Sequence, residues 1–327
     1  MYAQFSSSPK LNVMLNLILR FDKYIIHKGT LEFKGWVMSD WTATHSTVKA
    51  MQNGLDQELP FGLYYRESAM EDALASGDLS IDNIDESIRR ILTSMYEIGL
   101  FDRDPEGDPN AVVTSSDHNV LARDIAATAT VLAKHTHGVL PVAMEPLRGK
   151  CIAVFGDETT VSGTGSGRVQ PSYVVTPQEG IRNALTAAGY AEEVEVKYLS
   201  GLDGDLDEAV ALAADCALSV VVVATTSGEA SDRETLSLGA PSDQLVEAIA
   251  AASVHTVVSV VTPAAVLLPW RDLEKVDSIL ISWLPGQEAG NALADVLFGG
   301  VNPSARLPIT LPNKDNEVQF SPEQYPG

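Results

Sequence analysis

Leu218-Ser-Val-Val-Val-Val-Ala224 is the stretch of this 327-residue chain whose reading settles the architecture. A strand that is apolar on both faces needs cover on both, and parallel sheets between two layers of helices provide it. The same pattern repeats outward from it. Downstream, residues 242–252 read as a helix, 256–261 and 276–283 as apolar strands, and 286–297 as a helix. Upstream, 206–216 and 177–188 read as helices, and 194–198 and 151–155 as strands. Apolar strands alternating with helices predict an α/β/α sandwich with a mostly parallel sheet. Residues 117–134 read as one further helix leading into it.

The first hundred residues have another texture. Residues 11–19 are apolar enough for a helix. Trp36-Val-Met38 reads as a short buried strand that ends in a polar corner, Ser39-Asp40, closed by Trp41. Residues 46–54 and 64–76 fit helices. Ile81, Ile84, Ile88, Ile91, Leu92, Met95 and Ile98 then recur at three- and four-residue steps, the stripe of one amphipathic helix. Ser80 is its expected cap and Gly99 its stop. From Phe101 to Ser116 the chain carries Asp, Pro, Gly and Ser without periodicity, as a linker does. The expected organisation is therefore a first domain over 1–102, a linker over 103–116 and the sandwich over 117–327.

Composition narrows the function classes. With 22 Lys and Arg against 44 Asp and Glu, the net charge of −22 opposes nucleic acid and anionic membranes. No apolar run reaches the roughly 18–20 residues of a membrane helix. The first residues lack the basic-then-apolar pattern of a signal peptide, and Asn302-Pro-Ser304 has Pro where glycosylation forbids it. Cys151 and Cys216 each border an apolar run, so two buried free thiols are expected rather than a disulfide. His118, His135 and His137 lack metal-ligand spacing with acidic or Cys partners. No metal or other cofactor is expected.

Two loops carry chemistry-bearing residues. Thr225-Thr-Ser-Gly-Glu-Ala-Ser-Asp-Arg233 follows the most apolar strand, and ligands of open α/β sheets bind beyond such carboxyl ends. It holds Glu229, Asp232 and Arg233 within five positions, a set that also suits a surface loop with an internal ion pair. Gly163-Thr-Gly-Ser-Gly-Arg168 has the look of a nucleotide loop but lacks the P-loop Lys and the dinucleotide spacing.

The wording of these segments resembles glycoside hydrolase family 3, the β-glucosidase family. Gly35-Trp-Val-Met-Ser-Asp-Trp41, His45-Ser46 and Gly54-Leu-Asp-Gln-Glu-Leu-Pro60 are similar to its nucleophile segment. Glu97-Ile-Gly-Leu-Phe-Asp102 resembles the end of its first domain. Ala122-Arg-Asp-Ile-Ala126, Val131-Leu-Ala-Lys134 and Leu140-Pro141 resemble the approach to its second. Gly165-Ser-Gly-Arg-Val-Gln-Pro-Ser-Tyr173 is similar to a loop bordering its sugar site, and Ser227 to Leu238 to the loop bearing its acid/base. Leu284-Pro-Gly-Gln-Glu-Ala-Gly290 and Asn302-Pro-Ser-Ala-Arg-Leu-Pro308 are similar to further family words of structural role.

The resemblance implies Asp40 as nucleophile and Glu229 as acid/base, with Trp41, Arg168, Asp232 and Arg233 on the sugar. Ala230 stands where the family usually has Gly. The implied activity is retaining hydrolysis of terminal β-D-glucosyl residues from β-glucosides and cello-oligosaccharides, with a small carbohydrate as partner. The implied first domain is part of a (β/α)8-type barrel, a fold that needs about 250 residues. A second reading is a catalytically impaired carbohydrate-binding or interaction module beside a degenerate half barrel, its open apolar face favouring a partner chain, a homo-oligomer included, or aggregation. A third, nucleotide binding, lacks its motifs. The family implies an extracellular protein, whereas the absence of a signal peptide fits a cytoplasmic one.

Overall fold

A computed structural model describes residues 32–104, 107–229 and 231–321, in two compact units. The first holds the described residues up to Val112 together with Phe320 and Ser321, and the second holds Val113–Gln319. The helix expected over 11–19 and the residue Ala230 lie outside the described residues.

In the first unit, β1 (Met38–Trp41) and β2 (Gln57–Leu59) pair in parallel around α1 (Val48–Gln52). Asp56 ties the two strands: its Oδ2 accepts from Val37 N at 2.8 Å, and its own N donates to Val37 O at 2.9 Å. Helices α2 (Glu67–Ala75) and α3 (Ile81–Glu97) follow. Their small core is Met51, Ala73 and Leu79, with Val48, Tyr65, Met70 and Ile84 packed on it.

Two expectations are corrected here. The strand begins at Met38 rather than at Trp36, and apart from Ser39 it is exposed rather than buried. Asp40 is thus inside the strand and not just past it. The stripe of α3 does lie on one helix, and Asn83 Oδ1 accepts from Ser80 N at 2.9 Å to close its start. Yet Ile81, Ile88, Leu92 and the following Ile98 are exposed, because this unit's core takes up little more of the stripe than Ile84.

The second unit opens with α4 (Ser116–Ala129), whose N-cap Ser115 Oγ accepts from His118 N. Strand β3 (Val131–His135) follows at once. The single helix expected over 117–134 is therefore a helix and a strand. Val131-Leu-Ala-Lys134 has no strong preference of its own, and antiparallel pairing with β8 decides its state.

Beyond it come β4 (Lys150–Gly156), α5 (Pro177–Ala187), β5 (Val194–Leu199) and α6 (Leu206–Asp215). Next are β6 (Leu218–Ala224), α7 (Ala240–Ala252), β7 (Thr256–Val261), β8 (Ser278–Trp283) and α8 (Ala289–Leu297). The sheet runs β3-β8-β7-β6-β4-β5, parallel throughout except for β3. The alternation of β6 divides it between two cores. Val221 and Val223 face Ala209, Leu245 and Ile249 of α6 and α7. Leu218, Val220 and Val222 share the opposite core with Ala127, Ile181 and Leu293 of α4, α5 and α8.

Helices α5 and α8 touch backbone to backbone. A Cβ on Gly180 would lie 2.0 Å from the Gly290 carbonyl, so neither helix tolerates a side chain there. Trp270 is fully buried with its Nε1 donating to Asp243 at 2.9 Å, a core role. The expectation of two free thiols is overturned: Cys151 and Cys216 form a disulfide, with Cα atoms 4.8 Å apart. The cause is register. Ile152 is paired with Leu218, and Ala217 N donates to Cys151 O at 2.9 Å, so the residues entering β4 and β6 meet side by side.

Candidate active site

The order β5-β4-β6 means that the chain leaves β4 to one side for β5 and returns to the other for β6. Open α/β sheets bind ligands in the crevice at the carboxyl ends of the two strands flanking such a switch. The two loops that carry candidate residues in this unit leave those two ends, Arg168 after β4 and Glu229 after β6.

These loops are bound to each other. Thr164 N donates to Ser227 O at 2.9 Å, Thr226 Oγ1 reaches Ser162 O at 3.3 Å, and Thr164 and Gly228 form a parallel bridge. A third loop, after β8, joins them through Gly286 N donating to Val161 O at 3.0 Å. Gly165, with φ +67°, brings its backbone so near that a Cβ would stand 2.8 Å from Glu229 N. The glycine run thus serves the close approach of two loops, an approach that neither its likeness to a nucleotide loop nor its resemblance to a sugar-site loop reveals.

Glu229 is exposed, and its carboxylate makes no hydrogen bond among the described residues. Arg168, just after a single 3-10 turn over Gly165–Gly167, is exposed and likewise free among the described residues. Asp232 is exposed as well. Arg233 differs from these: half-buried, its Nη2 donates to Thr235 O and Ala265 O, each at 3.3 Å. Burial pushes its guanidinium down from the ordinary range, against the pull of Asp315. Asp315 in turn accepts from Leu236 N at 2.9 Å and Thr235 Oγ1 at 2.8 Å, and the Leu236 amide first among these holds its carboxyl low. Arg233 therefore anchors the base of the Glu229 loop.

In the first unit, Asp40 Oδ1 accepts from Trp41 N at 2.6 Å, which orients the carboxylate and leaves Oδ2 without a partner among the described residues. Ser39 turns inward, its Oγ accepting from Leu59 N at 2.8 Å. Thr42 (φ +58°) then bends the chain, and its N donates to Leu59 O at 3.1 Å. Trp41 and Phe61 are each 70% exposed, at the ends of the paired strands β1 and β2. Buried Glu58 braces the Pro60-Phe-Gly62 corner through Oε2, which accepts from Tyr64 N at 2.8 Å and Tyr65 N at 2.7 Å. Asp40 and Trp41 are brought together in this unit, and Arg168, Glu229, Asp232 and Arg233 in the other.

Among the described residues no group of three or more His, Cys, Asp or Glu could hold a metal ion. His137 instead pairs with buried Asp277 at 2.8 Å, His255 approaches the same carboxylate at 3.5 Å, and His135 faces Ser278. No described helix is long and apolar enough to cross a membrane.

Residues 130–326 match the glycosyl hydrolase family 3 C-terminal domain. The chain belongs to glycoside hydrolase family 3. Among curated proteins it is 30% identical over 334 residues to the probable beta-glucosidase L of Emericella nidulans, covering 89% of this chain and 44% of that protein. The probable beta-glucosidase G of the same fungus is also 30% identical, with 90% and 42% covered. Among solved structures, the family 3 beta-glucosidase of Neurospora crassa superposes with a TM-score of 0.77 at 28% identity, covering 90% of this chain and 40% of that one. The beta-glucosidase D2-BGL of Chaetomella raphigera gives 0.77 at 26%, with 93% and 47% covered. This family 3 chain therefore spans less than half the length of these relatives. Its mostly parallel six-stranded sheet is the sandwich expected from the sequence, while a barrel is not formed by the described residues.

Proposed function

We propose that this family 3 chain takes part in retaining hydrolysis of terminal β-D-glucosyl residues from β-glucosides and cello-oligosaccharides. The observation that carries the reading is the Glu229 loop, fastened to the Arg168 loop at the switch point of the sheet. Family membership and relatives named as beta-glucosidases support it.

In this reading Asp40 attacks the anomeric carbon with its unpartnered oxygen. The glycosidic C–O bond breaks as Glu229 gives its proton to the leaving oxygen. Water, deprotonated by Glu229, then displaces Asp40 from the sugar. Such chemistry asks for carboxyl groups about 5–5.5 Å apart in the working enzyme. Trp41 offers a face for stacking, and Arg168 and Asp232 offer hydrogen bonds to hydroxyls. No step calls for a cofactor.

The disulfide supports an oxidising, extracytoplasmic setting, because such bonds persist outside the reducing cytosol. The test of the function is release of p-nitrophenol from p-nitrophenyl β-D-glucoside by wild-type chain, Asp40→Asn and Glu229→Gln, each shown folded by circular dichroism. Turnover that both substitutions abolish is expected. Turnover that survives them would sink the assignment. A second reading, a carbohydrate-binding or interaction module, is favoured by the open stripe of Ile81, Ile88 and Leu92. Saturable glucose binding without turnover would select it.

A further inference from the structure

We infer that Thr164, Gly165 and Gly228 form a latch that positions Glu229 for proton transfer, so that the loop after β4 sets the acid carried by the loop after β6. The inference rests on the function proposed above for Glu229. The contact is closed from both sides. A Cβ on Gly228 would meet Thr164 Oγ1 at 2.1 Å and the Thr164 carbonyl carbon at 3.0 Å. A Cβ on Gly165 would meet Glu229 N at 2.8 Å and Glu229 Cβ at 3.1 Å. Two residues before Gly165, Gly163 sits where a Cβ would be 3.1 Å from Ser227 O.

Two backbone features hold this approach in register. Thr164 N donates to Ser227 O at 2.9 Å, and Ser231 N donates to Gly228 O at 3.3 Å, so backbone bonds flank Glu229 on both sides. Gly165 moreover has φ +67°, which L side chains rarely adopt. Glu229 has no side-chain hydrogen bond of its own among the described residues, so its backbone is what fixes it. Arg168 follows three residues after Gly165, so one latch sets both a candidate sugar ligand and the acid.

A positioning role has a chemical signature that simple loss of fold does not. An acid displaced by even a small distance no longer protonates a poor leaving group, whereas a good one departs without help. General acid catalysis contributes about 10²–10⁴-fold. Gly228→Ala and Gly165→Ala in the full chain should therefore slow phenyl β-glucoside hydrolysis by about a hundredfold, within that range, and 2,4-dinitrophenyl β-glucoside hydrolysis far less. Thr164→Gly, which removes the hydroxyl that a Cβ at 228 meets, should restore part of the phenyl glucoside rate to Gly228→Ala.

Amide exchange at Thr164 in the wild-type chain supplies a second readout that needs no turnover, with slow exchange expected from the bond to Ser227 O. Equal losses on both glucosides, no loss on either, or exchange at Thr164 as fast as in a free loop would each overturn the latch. Absence of turnover by the wild-type chain would instead sink the proposed function on which the latch depends.

Discussion

Reducing the Cys151–Cys216 bond is expected to remove a large share of the stability of the sandwich unit. The bond joins residues 65 apart and closes a loop that holds β4, α5, β5 and α6. In the chain-entropy account, opening a loop of that length returns about 4 kcal/mol of freedom to the unfolded state at 25 °C. Native domains are stable by only about 5–15 kcal/mol in total. With a urea slope of about 2 kcal/mol per molar, the midpoint should fall by about 2 M. The assay is urea unfolding followed by circular dichroism, with and without dithiothreitol. Cys151→Ala/Cys216→Ala serves as the control that reduction cannot shift further. Both sulfurs lie in the core that Val221 and Val223 share, so the reduced thiols remain packed and the chain-entropy effect dominates. Thiol titration of unfolded, unreduced protein should find none. Two titratable thiols, or a midpoint indifferent to reduction, would refute the reasoning.

Further outcomes follow from single contacts. Glu158, half-buried with Gln178 N donating to it at 2.8 Å, has its carboxyl pushed up chiefly by burial, against the pull of that hydrogen bond. A folded pKa above the unfolded one gives a contribution that is whole below the unfolded value, near 4, and is lost as pH rises through the folded value. Glu158→Gln should therefore raise the melting temperature at neutral pH, with the gain vanishing in acid; a gain independent of pH would contradict this. Gly180→Ala forces α5 and α8 apart and should cost about 1–3 kcal/mol in urea unfolding, whereas an unchanged midpoint would deny the backbone contact. Trp41→Ala should raise KM for aryl β-glucosides about fivefold, the worth of roughly 1 kcal/mol of aromatic contact, and leave stability unchanged because the ring is 70% exposed. An unchanged KM would remove Trp41 from the site.

Much of the fold is legible from residue pattern because β6 and β7 are buried on both faces, and burial of that kind leaves an unbroken apolar run. The bounds of both strands follow from it directly. Edges are harder. Strand β3 owes its state to pairing with β8, and β1 is exposed on its flanks, so neither announces itself by hydrophobicity. The disulfide depends on which strands become neighbours, and flanking apolar runs say nothing of that. Likewise the glycines at 163, 165 and 228 are visible in sequence while their mutual approach is not, since it joins loops some 60 residues apart in the chain. Arg233 was legible as a charged loop residue, but only the fold shows its donors turned to Thr235 O and Ala265 O.

The role of Asp40 is open to a direct chemical test. A 2-deoxy-2-fluoro-β-glucoside with a good leaving group slows release of the sugar from a nucleophilic carboxylate more than its capture. Intact-protein mass after incubation should show one fluoroglucosyl group, and peptide mapping should place it on Asp40, with Asp40→Asn left unlabelled. Label on another residue, or wild-type protein that hydrolyses aryl glucosides yet never carries the label, would contradict Asp40 as the nucleophile.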